Sequence, residues 1–145
     1  MRVDFYQLGA SSPESVIAAI AGRLLGEGEK LVIVASDEGV LARLDRQLWD
    51  QGATSFLPHG ISGGSDDARQ PVLLSSAVDA PNLARNLLIA DGEWRDAALS
   101  FERAFFLFDA ATLEAARLAW KLLAGRQGVE RHYWANEGGK WVEKG

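Results

Sequence analysis

The sequence contains no cysteine and only two histidines among its 145 residues. The missing cysteine excludes a disulfide framework, a thiol nucleophile, an iron–sulfur cluster and a cysteine-ligated zinc site. The two histidines, His59 and His132, are too few for a histidine-rich centre, so we expect no metal. Apolar runs are far shorter than the roughly 20 residues that a membrane-spanning helix requires. Without a basic-then-apolar leader at the N-terminus, the sequence predicts a protein that meets no membrane and resides in the cytoplasm.

Positive charge is also scarce, because 15 basic residues stand against 20 acidic ones and the net charge is −5. Proteins that bind nucleic acid directly usually carry a positive surplus, so tight, direct DNA binding is disfavoured. The distribution is uneven, however: residues 110–145 hold six basic and four acidic residues and three of the five tryptophans. We expect an anionic partner at this C-terminal quarter, and stacking of its aromatic rings on single-stranded DNA stays an alternative.

Strand and helix signals alternate along the chain. Short apolar strands are predicted near residues 3–8, 31–35, 55–58, 72–75, 86–90 and 104–108. Amphipathic helices are predicted after the caps Ser12, Asp37 and Asp109, the last running to about Ala124. Residues 60–67 read as a glycine-rich loop, residues 93–99 as a helical turn or two, and residues 129–143 as a C-terminal hairpin. The alternation predicts one three-layer α/β domain over residues 1–145, with a mostly parallel sheet.

Catalytic and phosphate-binding motifs are weak or missing. Gly60-x-Ser62-x-Gly64 matches the serine-hydrolase elbow, but loop residues rather than a helix are predicted after Ser62. The chain has no G-x-G-x-x-G and no glycine-lysine-serine or -threonine, so we expect a Rossmann-like sheet without a nucleotide site and without a cofactor. A nucleotide-binding or hydrolytic α/β enzyme stays the alternative, and no catalytic residue is assigned.

The last predicted helix carries two basic residues one turn apart, Arg117 and Lys121. Like charges at this spacing repel by a few tenths of a kcal/mol unless an anion lies between them. Glu114 offsets part of that repulsion, so a solvated helix face and a carboxylate-binding face are both consistent with the pattern. Trp120 adds an apolar surface beside the two cations.

Several stretches together resemble the chi subunit family of bacterial DNA polymerase III, accessory subunits of the clamp loader. The resemblance rests on these segments, in chain order: Asp4-Phe5-Tyr6, Arg43-Leu44-Asp45-Arg46-Gln47-Leu48-Trp49, Ser55-Phe56-Leu57-Pro58-His59, Arg85-Asn86-Leu87-Leu88-Ile89 and Arg117-x-x-Trp120-Lys121. It extends to about Gly128, and the ending from Arg131 onward departs from the family pattern.

The resemblance implies a non-catalytic subunit that links the clamp loader to single-stranded-DNA-binding protein during replication. Members pair with the psi subunit and hold the acidic, phenylalanine-ended C-terminal tail of that binding protein, so DNA is reached only indirectly. By their match to family positions, the tail-binding residues are expected to be Arg117, Lys121, Trp120 and Phe106. The residues expected to face psi are Trp49, Phe56 and Pro58. Leu113 stands where some members carry another basic residue, which predicts weaker tail binding.

Overall fold

The structure, a computed structural model, describes residues 1–50 and 59–144. Its helices are α1 (Pro13–Gly26), α2 (Glu38–Trp49) and α3 (Leu113–Ala124). Its strands are β1 (Arg2–Gln7), β2 (Leu31–Val34), β3 (His59–Ile61), β4 (Val72–Ser75), β5 (Asn86–Ile89), β6 (Arg103–Phe108), β7 (Glu130–Glu137) and β8 (Lys140–Glu143). Short 3-10 helices cover Asp67–Arg69, Asp96–Ser100 and Ala110–Thr112.

The strands form one sheet in the order β3-β4-β2-β5-β6-β1-β7-β8. Every neighbouring pair is parallel except β7 and β8, which form an antiparallel hairpin at one edge. Helices α1 and α2 cover one face, where their apolar side chains pack with Tyr6 and Leu8, and α3 covers the other face with Val3 and Phe5. The predicted three-layer α/β architecture is therefore confirmed, and β7 and β8 form the antiparallel pair at its C-terminal edge.

Local capping explains where the helices begin. Ser12 caps α1 by accepting a hydrogen bond from the Ser15 amide at 3.3 Å, and Asp37 caps α2 by accepting one from Gly39 at 2.7 Å. The Asp109 side chain accepts a hydrogen bond from the Thr112 amide at 3.1 Å. Asp109 caps a 3-10 turn over Ala110–Thr112, and α3 begins after that turn, at Leu113. The sequence had suggested a start directly after Asp109.

Two further sequence expectations differ from the structure or fall outside it. The predicted strand at residues 55–58 lies outside the described residues. Gly60 and Ile61, predicted as loop, instead belong to the edge strand β3, because they pair with Leu73 and Leu74 of the buried strand β4. The predicted turn near residues 93–99 is the 3-10 helix Asp96–Ser100. Within the described part of the chain, no helix is long and apolar enough to cross a membrane.

Candidate functional site

A cleft of about 150 Å³ opens between α3 and the strands β1, β6 and β7. We call it the α3 cleft. Its wall is mostly aromatic and apolar, and it is formed by Phe5, Gln7, Phe108, Leu113, Ala116, Arg117, Trp120 and Tyr133. An apolar cavity of about 150 Å³ accommodates a benzene-sized ring. The α3 cleft therefore has the size and lining to receive one aromatic side chain.

One wall of the α3 cleft consists of aromatic rings that contact Trp120. The Trp120 ring meets Phe5 edge-to-face with centroids 5.2 Å apart, and it meets Tyr133 in the same way at 6.1 Å. The tyrosine hydroxyl of Tyr133 donates a hydrogen bond to the Gln7 side-chain oxygen. Edge-to-face packing fixes ring orientation, so these residues form a wall that is already shaped before a partner arrives.

Arg131, on the C-terminal hairpin, supports Trp120 without lining the cleft. Its guanidinium lies 4.0 Å from the Trp120 ring centroid, and its Nη1 donates a hydrogen bond of 2.7 Å to the Trp120 carbonyl. The cation–π contact and the hydrogen bond together hold α3 against β7. Sequence reasoning gave no role to Arg131 or Tyr133. Their alternation along β7, which points residues 131 and 133 to one face, was the available signal.

The two cations of α3 lie at the edge of the α3 cleft. Arg117 lines the cleft, its side chain is 63% exposed, and it pairs with Glu114 at 3.0 Å. Lys121 lies one turn further along α3 and is exposed. Among the residues that the structure describes, Lys121 has no ion pair within 4 Å. A pair as exposed as Arg117 and Glu114 contributes little to stability, so Arg117 can exchange Glu114 for another carboxylate at small cost.

Phe106 and Leu113 differ in their access to the α3 cleft. Phe106 has no exposed surface and lies behind the cleft, 5.2 Å from the Phe5 ring centroid, so it supports the wall without lining it. Leu113 stands where some family members carry a basic residue, and it lines the cleft itself. Leu113 therefore adds apolar wall where a cation would have added charge.

Of the second group of predicted site residues, the structure describes Trp49, which belongs to α2 on the opposite face of the sheet. Trp49 ends α2, is 50% exposed, and its ring centroid is 4.3 Å from that of His59. His59 is buried, and its Nε2 lies 3.1 Å from the Asp45 carbonyl oxygen, which fits a structural histidine. Phe56 and Pro58 lie outside the described residues. Since α2 and α3 cover opposite faces, Trp49 and the α3 cleft belong to separate surfaces.

The hydrolase alternative finds no support in the geometry around Ser62. Ser62 follows the edge strand β3 and is followed by a turn and the 3-10 helix Asp67–Arg69, not by an α-helix. His132 lies on β7, six strand positions away. At roughly 4.8 Å per strand that separation is about 29 Å, so these two side chains cannot act together. In residues 1–50 and 59–144, no group of three metal-binding side chains is present.

Comparison with known proteins gives one consistent result. A family described as DNA polymerase III chi subunit, HolC, matches residues 1–130. The DNA polymerase III subunit chi of Escherichia coli K12 is 30% identical over 82 residues, which cover 57% of this chain and 56% of that protein. The DNA polymerase III subunit chi of Pseudomonas aeruginosa is 31% identical over 91 residues, covering 61% and 62%. The aligned part thus spans less than two thirds of either relative.

Proposed function

Because this chain belongs to the chi subunit family of DNA polymerase III, we propose that it is a non-catalytic accessory subunit in bacterial DNA replication. Its role is to link the clamp loader to single-stranded-DNA-binding protein by holding the acidic, phenylalanine-ended tail of that protein. The observation that carries the proposal is the α3 cleft, a ring-sized apolar space with Arg117 at its edge.

The tail and the cleft are complementary in chemistry. The terminal phenylalanine ring enters the cleft beside Trp120 and Leu113, while its carboxylate meets Arg117 at the edge. A guanidinium can hold a carboxylate through two parallel hydrogen bonds, which fixes the direction of the tail. Lys121, one turn further along α3, acts as a point charge for the acidic residues that precede the phenylalanine.

The second proposed partner is the psi subunit, which we place on the surface that includes Trp49. Half of the Trp49 side chain is exposed, and exposed aromatic residues are frequent anchors of protein interfaces. Phe56 and Pro58 stay predictions for the same surface. Replacing Trp49 by alanine should weaken binding of a psi-like protein and leave the tail affinity unchanged, because the α3 cleft lies on the opposite face. The same result is predicted for Phe56→Ala.

Calorimetry with a synthetic tail peptide tests the proposal. Arg117→Ala should cost roughly 1.5–3 kcal/mol, the range for a hydrogen bond to a charged group. That loss corresponds to about one to two decades in affinity. Lys121→Ala should cost less, because its contact is not bidentate, and added salt should weaken both contacts. Arg43→Ala is the matched control, since Arg43 is an exposed arginine on α2.

Two results would contradict the proposal. One is an affinity that neither Arg117→Ala nor Lys121→Ala changes. The other is equal binding of a peptide that lacks the terminal phenylalanine, because the ring is expected to supply most of the apolar contact in the cleft.

A further inference from the structure

A larger cleft lies on the other face of the sheet, between α1 and the C-terminal hairpin. Its volume is about 460 Å³, and it is lined by apolar side chains of α1 together with Arg2, Tyr6, Arg23, Arg103, Trp134 and Trp141. We call it the arginine cleft. Three of its lining residues are arginines and none is acidic.

The arginine cleft is built on a buried carboxylate. Asp4 has no exposed surface, and it accepts hydrogen bonds from Arg2 Nη2 at 3.0 Å, from Arg103 Nε at 2.9 Å and from Trp134 Nε1 at 3.0 Å. Burial alone would raise the pKa of Asp4, but the hydrogen bonds from Arg2, Trp134 and Arg103 outweigh it and hold this pKa below its usual value. Asp4 therefore fixes two guanidiniums and one indole in place.

Positive charge exceeds negative charge in this cleft. One carboxylate, Asp4, faces the two guanidiniums of Arg2 and Arg103, and Arg23 adds a third from α1, beside the Tyr6 hydroxyl. The Nη atoms of Arg103 have no hydrogen bond to any described residue. Glu130 lies near Arg2 as a second negative charge, and it shares His132 with Glu143 through hydrogen bonds of 2.6 and 2.9 Å. Three guanidiniums thus face two carboxylates, Asp4 and Glu130, and the remaining positive charge is available to an anion from outside.

Aromatic rings form the other side of the arginine cleft. Tyr6 is stacked on Trp134 with centroids 6.4 Å apart, and it meets Trp141 edge-to-face at 5.1 Å. Both tryptophans are only partly buried, so part of each indole is accessible from the cleft. Positive groups beside accessible aromatic rings are the combination that binds single-stranded nucleic acid, with phosphates on the cations and bases stacked on the rings.

We propose that the arginine cleft binds a nucleotide of single-stranded DNA. Arg23 and Arg103 contact the phosphate, and Trp141 stacks on the base. Convergence of three guanidiniums favours a phosphate, whose oxygens can accept from several donors at once, over a planar carboxylate, which one arginine already satisfies. The site differs from the nucleotide crevice of α/β enzymes, which lies outside the carboxyl ends of the strands. Here Arg2 and Arg103 are the first residues of β1 and β6.

Among the described residues that line this cleft, only Arg23 and Arg103 are free to contact phosphate, which limits the contact to one or two phosphates. Such a contact is weak, as expected for a protein with a net charge of −5. The proposal does not depend on tail binding at the α3 cleft. If that contact also holds, it would keep the chain beside single-stranded DNA and raise the effective concentration at the arginine cleft.

Fluorescence anisotropy at low salt, with a labelled eight-residue oligothymidylate, tests the inference. Arg23→Ala and Trp141→Ala should each weaken binding about tenfold, because the first removes a phosphate contact and the second removes the ring on which the base stacks. Arg43→Ala and Arg117→Ala should leave it unchanged, because those arginines lie outside the cleft. The logarithm of affinity should fall with the logarithm of salt with a slope of about −0.7 per phosphate contacted. Melting curves of each variant confirm that it is folded.

Three further probes identify the ligand. An abasic strand of equal length should bind about tenfold more weakly, because it retains the phosphates and lacks the bases. Binding of free thymidine monophosphate as tight as that of the strand would assign the site to free nucleotides and overturn the proposal. Binding of an acidic, phenylalanine-ended peptide that is weakened by Arg23→Ala and not by Arg117→Ala would overturn it in favour of a peptide site. Unchanged strand binding in folded Arg23→Ala and Trp141→Ala would also overturn it.

Discussion

Replacing the buried Asp4 by asparagine should destabilise the fold strongly. The carboxylate joins β1, β6 and β7 through hydrogen bonds from Arg2, Arg103 and Trp134. An amide would present its NH₂ group to donors that need an acceptor, and removing one partner of a buried pair costs roughly 3–5 kcal/mol. The arginine side chains are 39% and 30% exposed, so water replaces part of the lost contacts. We therefore expect about 3 kcal/mol, at the low end of that range.

Thermal unfolding measures this loss. At about 3 °C per kcal/mol for a domain of this size, Asp4→Asn should lower Tm by about 9 °C. Asp66→Asn is the matched control, because Asp66 is exposed and its side chain makes no capping hydrogen bond. This control should change stability by less than about 0.5 kcal/mol.

The Tm difference between wild type and Asp4→Asn should also depend on pH, which tests the role of the Asp4 carboxylate a second time. The folded pKa of Asp4 lies below its unfolded value, so the stabilisation is fully present above about pH 4 and is lost as pH falls through the folded pKa. The Tm difference between wild type and Asp4→Asn should therefore shrink from pH 5 towards pH 2. A Tm loss no larger than that of the control, or one independent of acid pH, would refute the role given to Asp4.

Three other predictions concern separate parts of the fold. Phe106→Leu should lower Tm but leave the tail affinity of the folded protein within about twofold in calorimetry, because Phe106 lies behind the α3 cleft. His132→Gln should reduce Tm more at pH 6 than at pH 9, because hydrogen bonds to two glutamates raise the pKa of His132. The stabilisation by the protonated imidazole is therefore lost as pH rises through the folded pKa. Gly92→Ala should destabilise by about 1–3 kcal/mol in chemical denaturation, since φ is +71° there and a Cβ would lie 2.6 Å from the Thr112 side chain.

Much of the fold could be predicted from local patterns. Apolar strands such as Leu31–Val34 and capped helices such as the one after Ser12 carry their own signals, and their alternation specifies a parallel sheet. Gly60 and Ile61 could not be recognised as strand, because an edge strand of three residues is specified by its neighbour β4 and not by its own sequence. The start of α3 was also misplaced, because the side chain of Asp109 caps a 3-10 turn and the α-helix begins only after that turn.

The candidate site was only partly predictable. Arg117 and Trp120 share one helix face, so helical spacing was sufficient to bring them to one surface. Tyr133 reaches the cleft, and Arg131 reaches Trp120, through the parallel pairing of β7 with β1, which connects positions 128 residues apart and leaves no local signal. Phe106 illustrates the reverse case, since a run of apolar residues on a central strand does not reveal which of them stay accessible.

The location of the tail site is the central claim, and nuclear magnetic resonance tests it most directly. A ¹⁵N-labelled sample titrated with the acidic, phenylalanine-ended peptide should show its largest shifts at the Trp120 indole N–H and at the backbone amides of Leu113 and Arg117. The indole signals of Trp49 and Trp141 should move little, because those rings lie on the other face of the sheet. Largest shifts at Trp49 or Trp141, with Trp120 unmoved, would contradict the account.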